Sequence, residues 1–158
     1  MSDPSIPLDW IPSIPRRYAT TAVDALLVLV LFIVPTVVLP EGEVSRVFRI
    51  ALAAAAVLLY EPLGTGHWMT LGQWLTGVRV RDMKTGRPIG IPRAWGRIIV
   101  KMLLGVVSFL LLPVTPGRRA LHDMASGSIV ILAKSEVDFA RWASHGGLAD
   151  DTAVGVRT

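Results

Sequence analysis

The sequence predicts a mainly α-helical protein: a small polytopic bundle with two transmembrane spans, a third segment that spans or re-enters, and a short cytoplasmic β-hairpin. Three observations predict it. The 158 residues are 52% hydrophobic and 18% charged, with a mean hydropathy of +0.54, well to the apolar side of a soluble domain. The apolar residues gather into three long runs, and between the second and third the pattern changes to a period of two. This length supports one domain or one bundle.

Residues 1–15 hold Pro4, Pro7, Pro12 and Pro15, so an extended N-tail is expected, with Trp10 as an interfacial anchor. The first helix, about 18–39, is apolar from Tyr18 to Leu39 except for Asp24. Its 22 residues reach roughly 33 Å, enough for a bilayer core. The run is long for a signal-peptide core and ends in Pro40-Glu41 without a small-residue cleavage site, so an uncleaved span is expected. The second helix, about 44–63, is Ala-rich at 53–56, with Arg46, Arg49 and Glu61 near its ends where long side chains reach water. A third helix is expected at about 95–112. Its apolar stretch, Ile98 to Leu112, contains Lys101 and has 15 residues, roughly 22 Å, short for a crossing. Pro113 and Pro116 follow it, so a thin crossing and a re-entrant segment both remain open.

Leu71, Trp74, Leu75 and Val78 fall at helical spacing, predicting a short interfacial amphipathic helix. Val78 to Asp82 then alternates, Lys84-Thr85-Gly86 supplies a turn and Pro88 to Ile91 resumes, which reads as a hairpin over about 78–91. Ser128 to Leu132 is a further short strand. Residues 134–158 lack sustained periodicity and are expected to be a mobile tail.

The chain has no cysteine, which excludes disulfides, thiolate metal sites and thiol redox chemistry. A net charge of +4 raises nucleic acid as a partner, yet the basic residues lie beside apolar runs, which fits membrane orientation instead. With three crossings, Arg16, Arg17, Arg79, Arg81, Lys84, Arg87, Arg93 and Arg97 share one side, opposite Arg46, Arg49, Arg118 and Arg119. With a re-entrant third run, Arg118 and Arg119 join the larger group. Both versions place the N-terminus in the cytoplasm, with the protein in the cell (inner or plasma) membrane.

Asp24 lies about six residues into the first run, at a depth where a carboxylate needs a partner or water. Arg17 is seven residues earlier, on nearly the same helical face, so the two define a polar seam running inward. Asp24 can serve as an ion- or proton-linked site, or as a packing contact to Arg97 or Lys101. His122-Asp123 is weak as catalysis: only His67 and His145 remain to build a metal site, and no nucleophile elbow, P-loop or dinucleotide fingerprint is present. No enzyme, catalytic residue, metal or cofactor is expected.

Three ordered segments resemble the RDD family of bacterial membrane proteins, named for one arginine and two aspartates. They are Arg16-Arg17 followed by Asp24; Thr70 to Asp82, with Gly86 and Arg97 after it; and Arg119 through Leu121-His122-Asp123 to Gly127 and Val130. The resemblance covers about 15–132, making 16–133 a membrane domain, and it implies that Arg17 (or Arg16), Asp24 and Asp123 are the eponymous residues. Gln73 stands where the family usually has lysine, and Gly96 precedes Arg97 where leucine is common. The resemblance implies a family of unknown molecular function for which transport is suggested.

Two functions compete. One is a small transport or ion-exchange component using Asp24, with Arg16, Arg17, Arg97, His122 and Asp123 as further polar candidates. Three helices cannot enclose a pathway, so this needs a homo-oligomer or a larger membrane partner. The other is a non-catalytic scaffold or assembly partner, in which Arg79, Arg81, Lys84, Arg87 and Arg93 bind a protein or anionic lipid from the bilayer. The same charges can also simply set topology.

Overall fold

The computed structural model describes residues 6–145, apart from 106, 111 and 114. Helix α1, Ile14–Val38, starts with Pro15 in its first turn, where a missing N–H costs nothing, and passes through Pro35 near its far end. Arg49 folds back from the next helix and donates to the Leu39 carbonyl at 2.7 Å and the Pro40 carbonyl at 3.0 Å. The α1 carbonyl end is capped this way. A second long helix follows as α2, Glu43–Ala55, a π-helical turn at Ala56–Tyr60, and α3, Glu61–His67.

Two helical stretches, Leu8–Val38 of 31 residues and Glu43–His67 of 25, are long and apolar enough to cross a membrane by length and composition. Their apolar side chains are largely uncovered: Leu26, Phe32, Val37, Val47 and Ile50 are all exposed. The third run behaves differently. Helix α5, Ile91–Leu104, has 14 residues, roughly 21 Å. It ends at Gly105, whose φ of 49° suits a residue without a side chain. A short α6, Val107–Leu110, follows, and a 3-10 turn over Pro116–Arg118 leads to α7, Leu121–Ala125. The single helix expected at about 95–112 is therefore broken in two, at the glycine whose positive φ leaves the helical region. Helix α7 packs back on α5.

The predicted hairpin is corrected. Strand β1, Val78–Asp82, is present, but its antiparallel partner is β2, Ser128–Leu132, in the register Val78↔Leu132 to Asp82↔Ser128. Residues 88–91 do not form a strand. Asp82 accepts from the Lys84 and Thr85 amides at 2.9 and 2.8 Å, closing a tight turn, and Ile91-Pro92 then opens α5. Ser-Ile-Val-Ile-Leu, all five buried, offers a β-branched edge that the proline-bearing segment cannot match.

Each face of this ribbon is covered. Val78, Val80, Val130 and Leu132 pack with Ile89 and Ala94. Ile129 and Ile131 pack with Ile6, Ile11 and Phe139. Two expectations fall with that second cluster. The N-tail is not simply extended, since Leu8–Trp10 is a 3-10 turn and Trp10 packs on the ribbon rather than standing free as an anchor. Nor is the C-terminal segment structureless: α8, Glu136–Ser144, seats Phe139 on the ribbon with its ring stacked on Trp142 at 5.5 Å. Apolar burial of this kind outweighs weak local periodicity. The rest of the expected tail, 146–158, lies outside the described residues.

The predicted interfacial helix is α4, Leu71–Thr76, started by Thr70 and ended by Gly77 in the left-handed region. Trp74 and Leu75 are exposed while Val78 belongs to the ribbon core.

Candidate functional site

Two carboxylates organise the polar interior. Asp24 sits ten residues into α1, roughly 15 Å from its start. The π turn brings Tyr60 to it: Tyr60 Oη donates to Asp24 Oδ1 at 2.8 Å and accepts from the Leu71 amide at 2.7 Å. Thr70 Oγ1 donates to Oδ2 at 2.7 Å, and the Gly72 amide donates to Oδ1 at 2.7 Å. Asp24 thus caps α4 from another helix, meeting amides that α4 cannot satisfy itself. These partners replace the expected contact to Arg97 or Lys101. Contact this close requires glycine at 72, because a Cβ there would lie 2.2 Å from the Thr20 carbonyl oxygen.

Asp123, fully buried, lies near the base of α1. Arg17 donates to its Oδ2 and also to the Arg118 carbonyl. Arg97 Nη2 lies 3.0 Å from Oδ1, an ion pair rather than an aligned hydrogen bond. The Ala120 amide donates to Oδ2 at 3.1 Å, so the same carboxylate caps α7. Burial alone would raise the Asp123 pKa, but the Arg17 and Arg97 guanidiniums hold it well below the usual carboxylate range. Arg16, the alternative to Arg17, is exposed.

His122 is buried next to this trio. Its Nδ1 is 2.6 Å from Ser108 Oγ and its amide donates to the same oxygen at 3.3 Å, while Nε2 is 3.5 Å from Asp123 Oδ1. Burial depresses the imidazole pKa to about 3; the Asp123 charge opposes this, and Arg97, Lys101 and Arg17 reinforce it. The ring is neutral at physiological pH. The order Ser108, His122, Asp123 resembles a hydrolase triad. However, the Ser108 hydroxyl has no exposed surface, so no acyl group reaches it.

Between Asp24 and the Arg17 and Arg97 side chains lies a polar cavity of about 30 Å³, room for a water or two. Arg17, Thr20, Asp24, Gln73, Arg97 and His122 contribute to its wall, together with Glu61 and Lys101, which form an ion pair at 2.7 Å. The seam expected from Arg17 and Asp24 is therefore present. A second, larger hollow of about 1000 Å³ runs between α1, the π turn and α5, lined by Ala25, Val28, Phe32, Ala56, Val57 and Met102 among others. Thr21, Asp24, Glu61 and Lys101 line both hollows, so the polar cavity and the apolar groove share a wall.

The basic loop is less free than its composition suggests. Arg81 and Arg79 pair with Glu136, the latter at 3.8 Å, and Arg93 pairs with Asp82. Burial raises the Asp82 pKa, but the Thr85 amide, Arg93 and the Lys84 amide outweigh it and hold the carboxyl below its usual range. Lys84 and Arg87 are exposed. Among the described residues no group of three metal-ligating side chains exists.

Sequence reasoning missed Tyr60, Thr70, Gly72, Ser108 and the Glu61–Lys101 pair. Thr70 had a local signal, a hydroxyl three residues before Gln73 at a helix start. The others are joined only by the tertiary fold.

The chain belongs to the RDD family, whose model matches residues 11–127. No curated protein and no solved structure matches it. Family membership and the two long apolar helices identify a membrane protein.

Proposed function

We propose that this chain is a small transport or ion-exchange component of the cell membrane, with Asp24 as its ion- or proton-handling carboxylate. The carrying observation is the shared wall: Asp24, Glu61 and Lys101 border a polar cavity on one side and an apolar groove on the other. Charged groups between water-sized polar space and a lipid-facing hollow are what a coupled ion needs on its way across. On this reading α1 and α2–α3 cross, α5 and α6 enter and return, and the N-terminus, the ribbon and α8 lie in the cytoplasm with most of the basic residues. Two crossings cannot enclose a path, so the groove faces a second copy or a larger membrane partner within the bilayer. The reading involves no covalent chemistry, cofactor or nucleic acid.

Proton- or sodium-linked flux in reconstituted vesicles tests it. Asp24→Asn is expected to abolish flux while expression and oligomeric state survive; flux that persists in this variant contradicts it.

The scaffold reading keeps one favourable observation, the exposure of Lys84 and Arg87, whereas Arg79, Arg81 and Arg93 are engaged in ion pairs. It predicts that Lys84→Glu with Arg87→Glu weakens binding to vesicles rich in anionic lipid severalfold at low salt. Unchanged binding removes it.

A further inference from the structure

The charges around the polar cavity do not pair one to one. Lys101 and Glu61 neutralise each other. Arg17 and Arg97 share the single carboxylate of Asp123, which leaves that trio with one positive charge in excess. Asp24 meets only neutral donors, Tyr60, Thr70 and the Gly72 amide, so it holds one negative charge without a contacting cation among the described residues. His122 adds no charge at physiological pH.

Both excess charges border the same hollow. The Arg97 side chain is 9% exposed, and its Nε and Nη1 are buried without a hydrogen-bond partner. Buried guanidinium N–H groups require acceptors. A cavity of about 30 Å³ accommodates a water or two touching both walls. It is too small for a polyatomic anion, and an added anion or cation would upset a charge count that already closes.

We propose that Arg97 and Asp24 form a water-separated ion pair across this cavity, making Arg97 the positioning residue that supplies Asp24 with its counter-charge. The idea deepens the ion-handling reading and takes its functional meaning from it. A proton or monovalent cation arriving at Asp24 then competes with a cation already tethered to the protein, and its binding releases Arg97 from that duty.

A double-mutant cycle on the full chain in detergent tests the linkage. Thermal midpoints are measured for Asp24→Asn, Arg97→Gln and both together; asparagine keeps the shape of aspartate, removes its charge and turns one acceptor oxygen into a donor, which the Thr70 hydroxyl can meet by accepting. Each single change lowers Tm. The drop caused by Arg97→Gln is expected to be about twofold smaller or less in the Asp24→Asn background, because no unpaired charge then remains. Drops that simply add overturn the proposal. Arg97→Lys, which keeps the charge, should restore Tm in the presence of Asp24 and not in its absence; equal restoration in both backgrounds also overturns it. If Arg97→Gln alone does not fold, the double variant decides: folding regained on adding Asp24→Asn supports the pair, and a double variant that is equally unfolded overturns it. Coupling without flux sinks the transport reading and leaves the ion pair, whereas Asp24-dependent flux with additive Tm losses does the reverse.

Discussion

Asp24 and Asp123 are both carboxylates withdrawn from water, and they are satisfied by opposite means. Asp123 faces two guanidiniums, so its charge is matched to excess and its pKa falls well below the ordinary value. Asp24 receives hydroxyls and an amide, which solvate a carboxylate without neutralising it. That difference assigns their roles. Asp123 is a clasp between the base of α1, α5 and α7, and Asp24 is the charge left available at the cavity. His122 beside the clasp gives a pH signature. Its folded pKa of about 3 lies below the ordinary 6.5 or so, so the unfolded chain takes up a proton that the folded chain refuses. Stability from this group is complete above about pH 6.5 and is lost as pH falls toward 3. The carboxylates Asp82 and Asp123, with depressed folded values, lose theirs only below about pH 4. Thermal midpoints between pH 7 and 4.5 should therefore fall steadily in the wild type. His122→Gln should start lower at pH 7, having lost the Ser108 contact, but show a flatter slope; an unchanged slope contradicts the assignment.

At the scale of elements, α4 is held by what lies outside it. Six residues are too few for a helix to persist on propensity, and its start is capped by Thr70 internally and by Asp24 from α1. Gly72→Ala should push α4 off α1, since the new methyl meets the Thr20 carbonyl and the Asp24 carboxyl group. We expect a loss of about 1–3 kcal/mol by chemical unfolding, together with altered Trp74 emission; a variant as stable as wild type contradicts the docking. The apolar helices were legible because length and hydropathy decide them. The strand at 78–82 and the one at 128–132 were legible from their alternation or β-branched run. Their pairing was not, because local turn signals at 84–86 favour a hairpin and nothing local announces a partner forty-six residues further on. Helix α8 was hidden for the related reason that Phe139 finds its pocket only after the ribbon forms.

Across the whole molecule, the polar clasp dictates how the chain is threaded. Arg17 touches Arg118 and Asp123, so the chain must come back, after α5 and α6, to the end of α1 from which it set out. The sequence left three crossings and two crossings with a re-entrant segment open, since 15 apolar residues sit between the two regimes. The contact between Arg17 and Asp123 supports the proposed two-crossing threading, and it is a contact between positions that periodicity cannot relate. The named candidates Arg17, Asp24, Arg97 and His122 do converge on one cavity, with Asp123 paired to Arg17 and Arg97 behind it, whereas Arg79, Arg81 and Arg93 of the basic loop form ion pairs with α8 and the Asp82 turn.

Membrane sidedness tests this arrangement most directly. The chain contains no cysteine, so single cysteines at the exposed positions Ser13, Glu41 and Asp138 can be labelled in intact cells with an impermeant thiol reagent and read on the purified chain, with no background from its own residues. Two crossings predict that Glu41→Cys reacts from outside, while Ser13→Cys and Asp138→Cys react only after the membrane is opened. Labelling of positions 13 and 138 from opposite sides would require an odd number of crossings, and would separate Arg17 from Asp123 and dismantle the cavity.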